Sequence, residues 1–233
     1  MPKRIDVKGQ IIDSGNGWVY DWLGIEYTSP RKVSKALQEA NGEPVEVFIN
    51  SPGGSVHAGS EIYTELRNYT GKVMIKITGI AASAASVIAQ AGESEISPTG
   101  MFMIHNVMTS ASGDYRNVGQ TADALRAAND SIINAYVEKT GMGREELQAL
   151  MDKETYMSPQ QAVGYGFVDK IMFSDESPQA VPMQNGILIS PEAIEKLRGL
   201  IKNPDRNDSD FLMKKNKAAM NLKLLNLKGG KRT

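Results

Sequence analysis

Between residues 45 and 91 the chain twice runs an apolar strand straight into a stretch of small residues and then into a helix. Val45-Glu-Val-Phe-Ile49 alternates apolar and polar before turning apolar, as a strand entering a core does. Asn50-Ser-Pro-Gly-Gly54 follows it directly. Val73-Met-Ile-Lys-Ile-Thr78 is the second strand, followed by Gly79-Ile-Ala-Ala-Ser83-Ala-Ala-Ser86. A chain that leaves a strand through Gly, Ala and Ser lets other backbone approach closely at that point.

The same alternation continues on both sides. Residues 4–12 read as a strand. Ser29-Pro30 reads as a helix start, with Val33, Leu37 and Ala40 on one face. Further helices are predicted over 56–69, 82–91, 117–139, 143–151 and 159–165, and strands over 101–104 and 168–172. In the long helix Leu125, Ile132, Ile133, Tyr136 and Val137 fall at helical spacing. Ser158-Pro159-Gln160-Gln161 has the form of a capping box. Strands alternating with helices predict an α/β fold.

Composition removes several function classes. The chain has 233 residues and no cysteine, which excludes a disulfide scaffold, a thiol nucleophile and a cysteine zinc site. Its two histidines, His57 and His105, are too few for most catalytic metal sites, so no metal and no cofactor is expected. A formal net charge of −1 gives no pointer to nucleic acid. No apolar run approaches the roughly 20 residues that span a bilayer. Residues 1–7 lack the apolar region of a secretory signal. The expectation is a soluble, cytoplasmic chain whose imidazole base, if it has one, is one of two residues.

Three segments carry candidate chemistry. The Pro52-Gly53-Gly54 stretch could aim backbone N–H groups into a cleft, as an oxyanion hole needs, although taken alone it reads more readily as a tight turn. Ser83 sits where a helix begins, a place that favours a developing negative charge. Taken alone it reads as the N-cap of a tightly packed helix. His105 ends the apolar strand 101–104, where a lone histidine is more often structural. His57 competes with it, but lies at a helix start whose positive end disfavours an imidazolium.

Together these segments resemble the Clp protease proteolytic subunit (ClpP) family of serine peptidases. Phe48-Ile-Asn-Ser-Pro-Gly-Gly54 looks like its oxyanion segment, Gly79-Ile-Ala-Ala-Ser83-Ala like its nucleophile motif, and Met103-Ile-His105-Asn106 like its histidine motif. Residues 156–169, ending Ala162-Val-Gly-Tyr-Gly-Phe-Val-Asp169, are similar to its closing segment. The four occur in the family's order over roughly residues 40–172. The resemblance implies a ClpP/crotonase-like spiral of repeated β-β-α units with a long handle helix. It implies Ser83 as nucleophile, His105 as base, and the backbone N–H groups of Gly54 and Ala84 as oxyanion donors. Counting back from the closing segment, Glu154 takes the place of the family's aspartate, with Asp152 as the alternative if the register slips by two.

The resemblance further implies a peptide or unfolded-protein substrate and a homo-oligomer of heptameric rings. It leaves an ATPase unfoldase open, because the segment before the oxyanion strand departs from the family's. A peptidase domain is expected over 1–173, then a linker over 174–189, then a short amphipathic helix and a basic tail over 190–233. From residue 213 onward the tail carries seven Lys and Arg, no acid, and Leu222, Leu224, Leu225 and Leu227. Such an extension resembles phage and prophage members that process capsid or scaffold proteins, which makes such a protein a candidate partner. The competing functions are a crotonase-type acyl-CoA enzyme, which needs no Ser–His pair, and a non-catalytic scaffold of the same fold.

Overall fold

The strand predicted over 4–12 forms as β1 (Lys3–Ile11) in the computed structural model, which describes residues 1–174. The expected linker and basic tail lie, from residue 175 on, outside the described residues. After β1 come α1 (Gly17–Leu23) and the two-residue β2 (Tyr27–Thr28), neither of which the sequence pattern predicts. Then α2 (Pro30–Ala40) starts as expected, with Pro30 in its first turn, although the Ser29 side chain makes no cap hydrogen bond. Its buried residues are Pro30, Val33, Leu37 and Ala40, the apolar stripe read from the sequence.

The next two strands differ from expectation in an informative way. The sequence predicts a strand ending at Ile49 and a turn over 51–54. Instead β3 (Val45–Gly54) stays extended through the glycines. It pairs with β1 as far as Ile11↔Gly54, and with the following strand as far as Ser51↔Ala81, by way of irregularities that shift the register. That partner, β4 (Val73–Ala82), likewise outruns its predicted end at Thr78. Between them lies α3 (Val56–Asn68), which buries Ala58, Gly59, Ile62 and Leu66. Because β4 is longer, α4 (Ala84–Ile88) is shorter than the predicted 82–91.

β4 is the branch point of the sheet. Its first half pairs in parallel with β5 (Glu93–Ile96), and its last three residues pair in parallel with β6 (Met101–Ile104) through Ile80↔Met101 and Ala82↔Met103. The remaining elements are α5 (Tyr115–Thr140), α6 (Arg144–Asp152), β7 (Thr155–Met157), α7 (Pro159–Gly164) and β8 (Lys170–Ile171). The main sheet runs β2-β1-β3-β4-β5-β8, all parallel, and β7 alone is antiparallel, against β6. A mixed α/β fold with a parallel sheet and one long helix is the predicted class. The capping box on α7 forms, with Ser158 and Gln161 as reciprocal partners.

The first halves of β1, β3 and β4 alternate between a buried and an open face. Ile5, Val7, Val45, Val47, Ile49, Ile75 and Ile77 point into the core, and burying each such side chain contributes about 1.5–3 kcal/mol. On the other face the Arg4 guanidinium lies over the Phe48 ring at 4.0 Å, and Lys76 pairs with Glu46 at 2.7 Å. α5 is buried only in its second half, at Ile132, Ile133, Ala135 and Tyr136; Tyr115 and Val118 in its first turns are exposed.

The closing segment of the sequence fastens this architecture. One Asp169 carboxylate oxygen accepts from the Ser94 amide (2.7 Å), the Ser94 hydroxyl (3.0 Å) and the Lys139 ammonium, tying the approach to β8 onto β5 and α5. Burial alone raises the Asp169 carboxyl, but these donors outweigh it and hold the group below the ordinary carboxylate range. A carboxylate depressed in this way stabilises the fold above its unfolded value of about 3.9, and that contribution is lost as pH falls through the folded value. Urea unfolding of wild type and Asp169→Asn should therefore differ at pH 7 in favour of wild type. The gap should close progressively below about pH 4.

Candidate active site

Ser83 occupies the single residue between β4 and α4. Its backbone, φ 56 and ψ −127, lies where a side-chain-bearing residue is strained, at a cost of about 1–3 kcal/mol. Hydrogen bonds to its backbone amide and carbonyl hold it there. The Ser83 amide donates to the Met103 carbonyl at 3.1 Å, carrying the β4–β6 pairing one residue past the end of β4. Its carbonyl accepts from the Ser86 amide at 2.9 Å and from the Ser86 hydroxyl at 2.6 Å. Ser83 is at the N-cap position of α4, yet its side chain makes no cap hydrogen bond. Its Oγ instead lies 2.7 Å from Nε2 of His105.

The end of β3 closes over this junction. A Cβ on Gly53 would sit 2.6 Å from the Ser83 Cβ, and one on Gly54 would sit 2.0 Å from the Ile11 carbonyl oxygen. Both residues also have positive φ, 96° and 149°. The two glycines are thus required by close approaches, Gly53 to Ser83 and Gly54 to Ile11, rather than by a turn. Gly54, Ala84, Ser83 and His105 all line one cavity of about 770 Å³, and apolar side chains such as Met103 and Leu125 form much of its wall. Ala84 is the first residue of α4, so its amide has no acceptor within the helix.

His105 follows β6 directly. Its Nδ1 is buried and has no hydrogen-bond partner among the described residues. The β6–β7 register runs Phe102↔Met157, Met103↔Tyr156, Ile104↔Thr155. Counted one step further, Glu154 would fall opposite His105, although it lies just outside β7. Glu154 is exposed and has φ 49, and no hydrogen bond joins it to the imidazole. The alternative acid is engaged elsewhere. Asp152 Oδ1 accepts from Asn106 at 2.8 Å and Gln148 at 2.7 Å, and these donors hold its carboxyl below the ordinary range. His57, exposed near the start of α3, lines the same cavity, but the imidazole hydrogen-bonded to Ser83 is that of His105.

Four residues that sequence reading did not single out as functional surround the pair: Ser86, Asn106, Asn129 and Tyr136. Two of them lie within the quoted motifs. Their partners are 50 and 23 residues distant, a pairing that no local pattern carries. Among the described residues there is no group of three or more metal-ligating side chains, and no helix is long and apolar enough to cross a membrane.

The sequence profile of the Clp protease family matches residues 32–175. The chain is 33% identical over 138 residues to the "ATP-dependent Clp protease proteolytic subunit 1" of Chlamydia abortus, covering 57% of this chain and 72% of that protein. The protein of the same name from Chlamydia trachomatis serovar D has the same identity and coverage. That of Protochlamydia amoebophila is 31% identical over 140 residues, covering 58% of this chain and 68% of the relative.

The close approach at Gly53 makes a specific prediction. Gly53→Ala should push β3 away from Ser83, lowering stability by about 1–3 kcal/mol and activity by a larger factor than that stability loss explains. Denaturant unfolding beside turnover measured well below the melting temperature separates the two. Wild-type turnover in Gly53→Ala would show that the approach is not needed.

Proposed function

Since the chain belongs to the Clp protease family and is a serine-type peptidase, we propose that Ser83, His105 and Glu154 act as its catalytic triad. The observation that carries this reading is the 2.7 Å contact between Ser83 Oγ and His105 Nε2, made by a serine whose hydroxyl is withheld from helix capping. Ser83 Oγ attacks the scissile carbonyl while His105 Nε2 takes its proton. The amides of Gly54 and Ala84 face the oxygen that becomes negative, and His105 returns the proton to the leaving amine. Water then resolves the acyl-enzyme with His105 again as base. A crotonase-type enzyme would have no use for the Ser–His contact.

Glu154 is favoured over Asp152 on two grounds. The β6–β7 register, counted one step past its last pair, would bring it opposite His105, whose Nδ1 lacks an acceptor, and Asp152 already serves Asn106 and Gln148. A rotation of the exposed Glu154 side chain completes the triad. The substrate is an extended peptide or unfolded protein, laid along the apolar-walled cavity. The exposed first half of α5, with Tyr115 84% accessible, supports a second level of organisation: homo-oligomeric rings, heptameric by family, that enclose the sites. The relatives are named as ATP-dependent, and an ATPase partner would feed such a chamber. The capsid or scaffold contact expected of the tail concerns residues outside those described.

Substitutions test each role. Ser83→Ala should lower turnover of a small peptide by several orders of magnitude, about 10⁶ where a complete triad is at work. His105→Ala should inactivate and His57→Ala should not. Glu154→Gln should cost up to about 10⁴-fold, through the wrong imidazole tautomer, and Asp152→Asn far less. Activity within tenfold of wild type in Ser83→Ala would end the proposal. Sedimentation at micromolar concentration should show a ring-sized species; a monomer would contradict the assembly.

A further inference from the structure

α5 meets both members of the reacting pair through hydrogen bonds that neither member makes directly. Tyr136 is 1% exposed, and its hydroxyl lies 2.8 Å from Oγ of Ser86, itself fully buried. Ser86 has one hydroxyl proton, which it gives to the Ser83 carbonyl at 2.6 Å. Tyr136 must therefore be the donor in the Tyr136–Ser86 bond. Burial drives the Tyr136 hydroxyl well above the ordinary tyrosine range, so it keeps that proton. The result is a directed chain, Tyr136 to Ser86 to the carbonyl of the strained Ser83.

A second chain leaves the same helix. Asn129 Oδ1 accepts the Val107 amide at 2.7 Å, and its Nδ2 donates to Asn106 Oδ1 at 2.9 Å. Gln148 donates to that same Asn106 oxygen at 2.9 Å, and Asn106 donates to Asp152. These bonds grip the two residues that follow His105. Asn129 and Tyr136 are seven apart (136 − 129), two turns of helix, and so share one face of α5.

We propose that Asn129 and Tyr136 are positioning residues for the peptidase site, acting through Asn106 and Ser86 respectively to set the Ser83–His105 separation from a single helix. The inference rests on the reading of Ser83 and His105 as nucleophile and base. Neither positioning residue touches the reacting atoms. One chain holds the nucleophile by its carbonyl, the other holds the base by the backbone just beyond it. The buried second half of α5 is the rigid spacer between them.

The test compares Tyr136→Phe, Ser86→Ala, their double substitution and Asn129→Ala with wild type. It reads kcat and KM for a small peptide, the melting midpoint, and the Ser83–His105 distance in crystal structures. Each single variant should lose about tenfold or more in kcat with KM near wild type, since small displacements of a reacting group are costly. The Ser83 Oγ–His105 Nε2 distance should open beyond hydrogen-bonding reach. Tyr136→Phe should add nothing in the Ser86→Ala background, because Tyr136 acts only through Ser86. A lowered melting midpoint with unchanged kcat would overturn the inference, as would a full additional loss in the double variant. If wild type itself hydrolyses no peptide, the proposed function fails, and the crystallographic distance in the same variants still decides the positioning.

Discussion

The amide of Ser83 donates to the carbonyl of Met103, and that one backbone bond sets the spacing of the site before any side chain is placed. It exists because β4 outlasts its pairing with β5 and takes β6 as a new neighbour over its last three residues. The two strands then end side by side, β4 at Ala82 just before Ser83 and β6 at Ile104 just before His105. A parallel ladder keeps its register only while the backbones stay extended. The helix start after Ser83 must therefore be made abruptly, within one residue. The positive φ of Ser83 is the geometric cost of that bend.

Small residues around the bend follow from the same constraint. β3 reaches Ser83 only because Gly53 has no side chain, and α3 packs on α4 only because Gly59 has none near Ala84. Apart from Ile80, the run Gly79–Ser86 is all Gly, Ala and Ser, and β3 and α3 both approach it closely at Ser83 and Ala84. Ser86 is the one polar side chain in α4, and its fully buried hydroxyl is satisfied on both sides. An unpaired hydroxyl at that depth would cost about 1–3 kcal/mol.

The apolar periodicities of α2, α3 and the second half of α5 were readable from sequence because each helix buries a single stripe. So was the pairing of Ser83 with His105, through motifs matched in order to a family. The extension of β3 through Pro52-Gly53-Gly54 was not. Glycines read locally as a turn, and only the neighbouring strands β1 and β4 keep them extended. β2, β5 and β7 span two to four residues, too few to establish a period. α1 escaped notice because its tryptophans, Trp18 and Trp22, face outward and leave no inward stripe. The choice between Glu154 and Asp152 depended on a register of two residues; Asp152 is engaged by Asn106 and Gln148, and neither carboxylate is hydrogen-bonded to His105. Tyr136 read as one more core aromatic. Its hydroxyl contact depends on a partner in another element, which sequence alone does not carry.

The most direct measurement of the central claim is covalent. Wild-type protein is treated with a fluorophosphonate, digested, and mapped by mass spectrometry, with turnover followed in the same sample. A serine activated by its neighbour should carry the probe at Ser83 alone, and activity should vanish in step with that label. Labelling at any other residue, or full activity retained once Ser83 is blocked, would contradict the assignment of the nucleophile and with it the chemistry built on the Ser83–His105 contact.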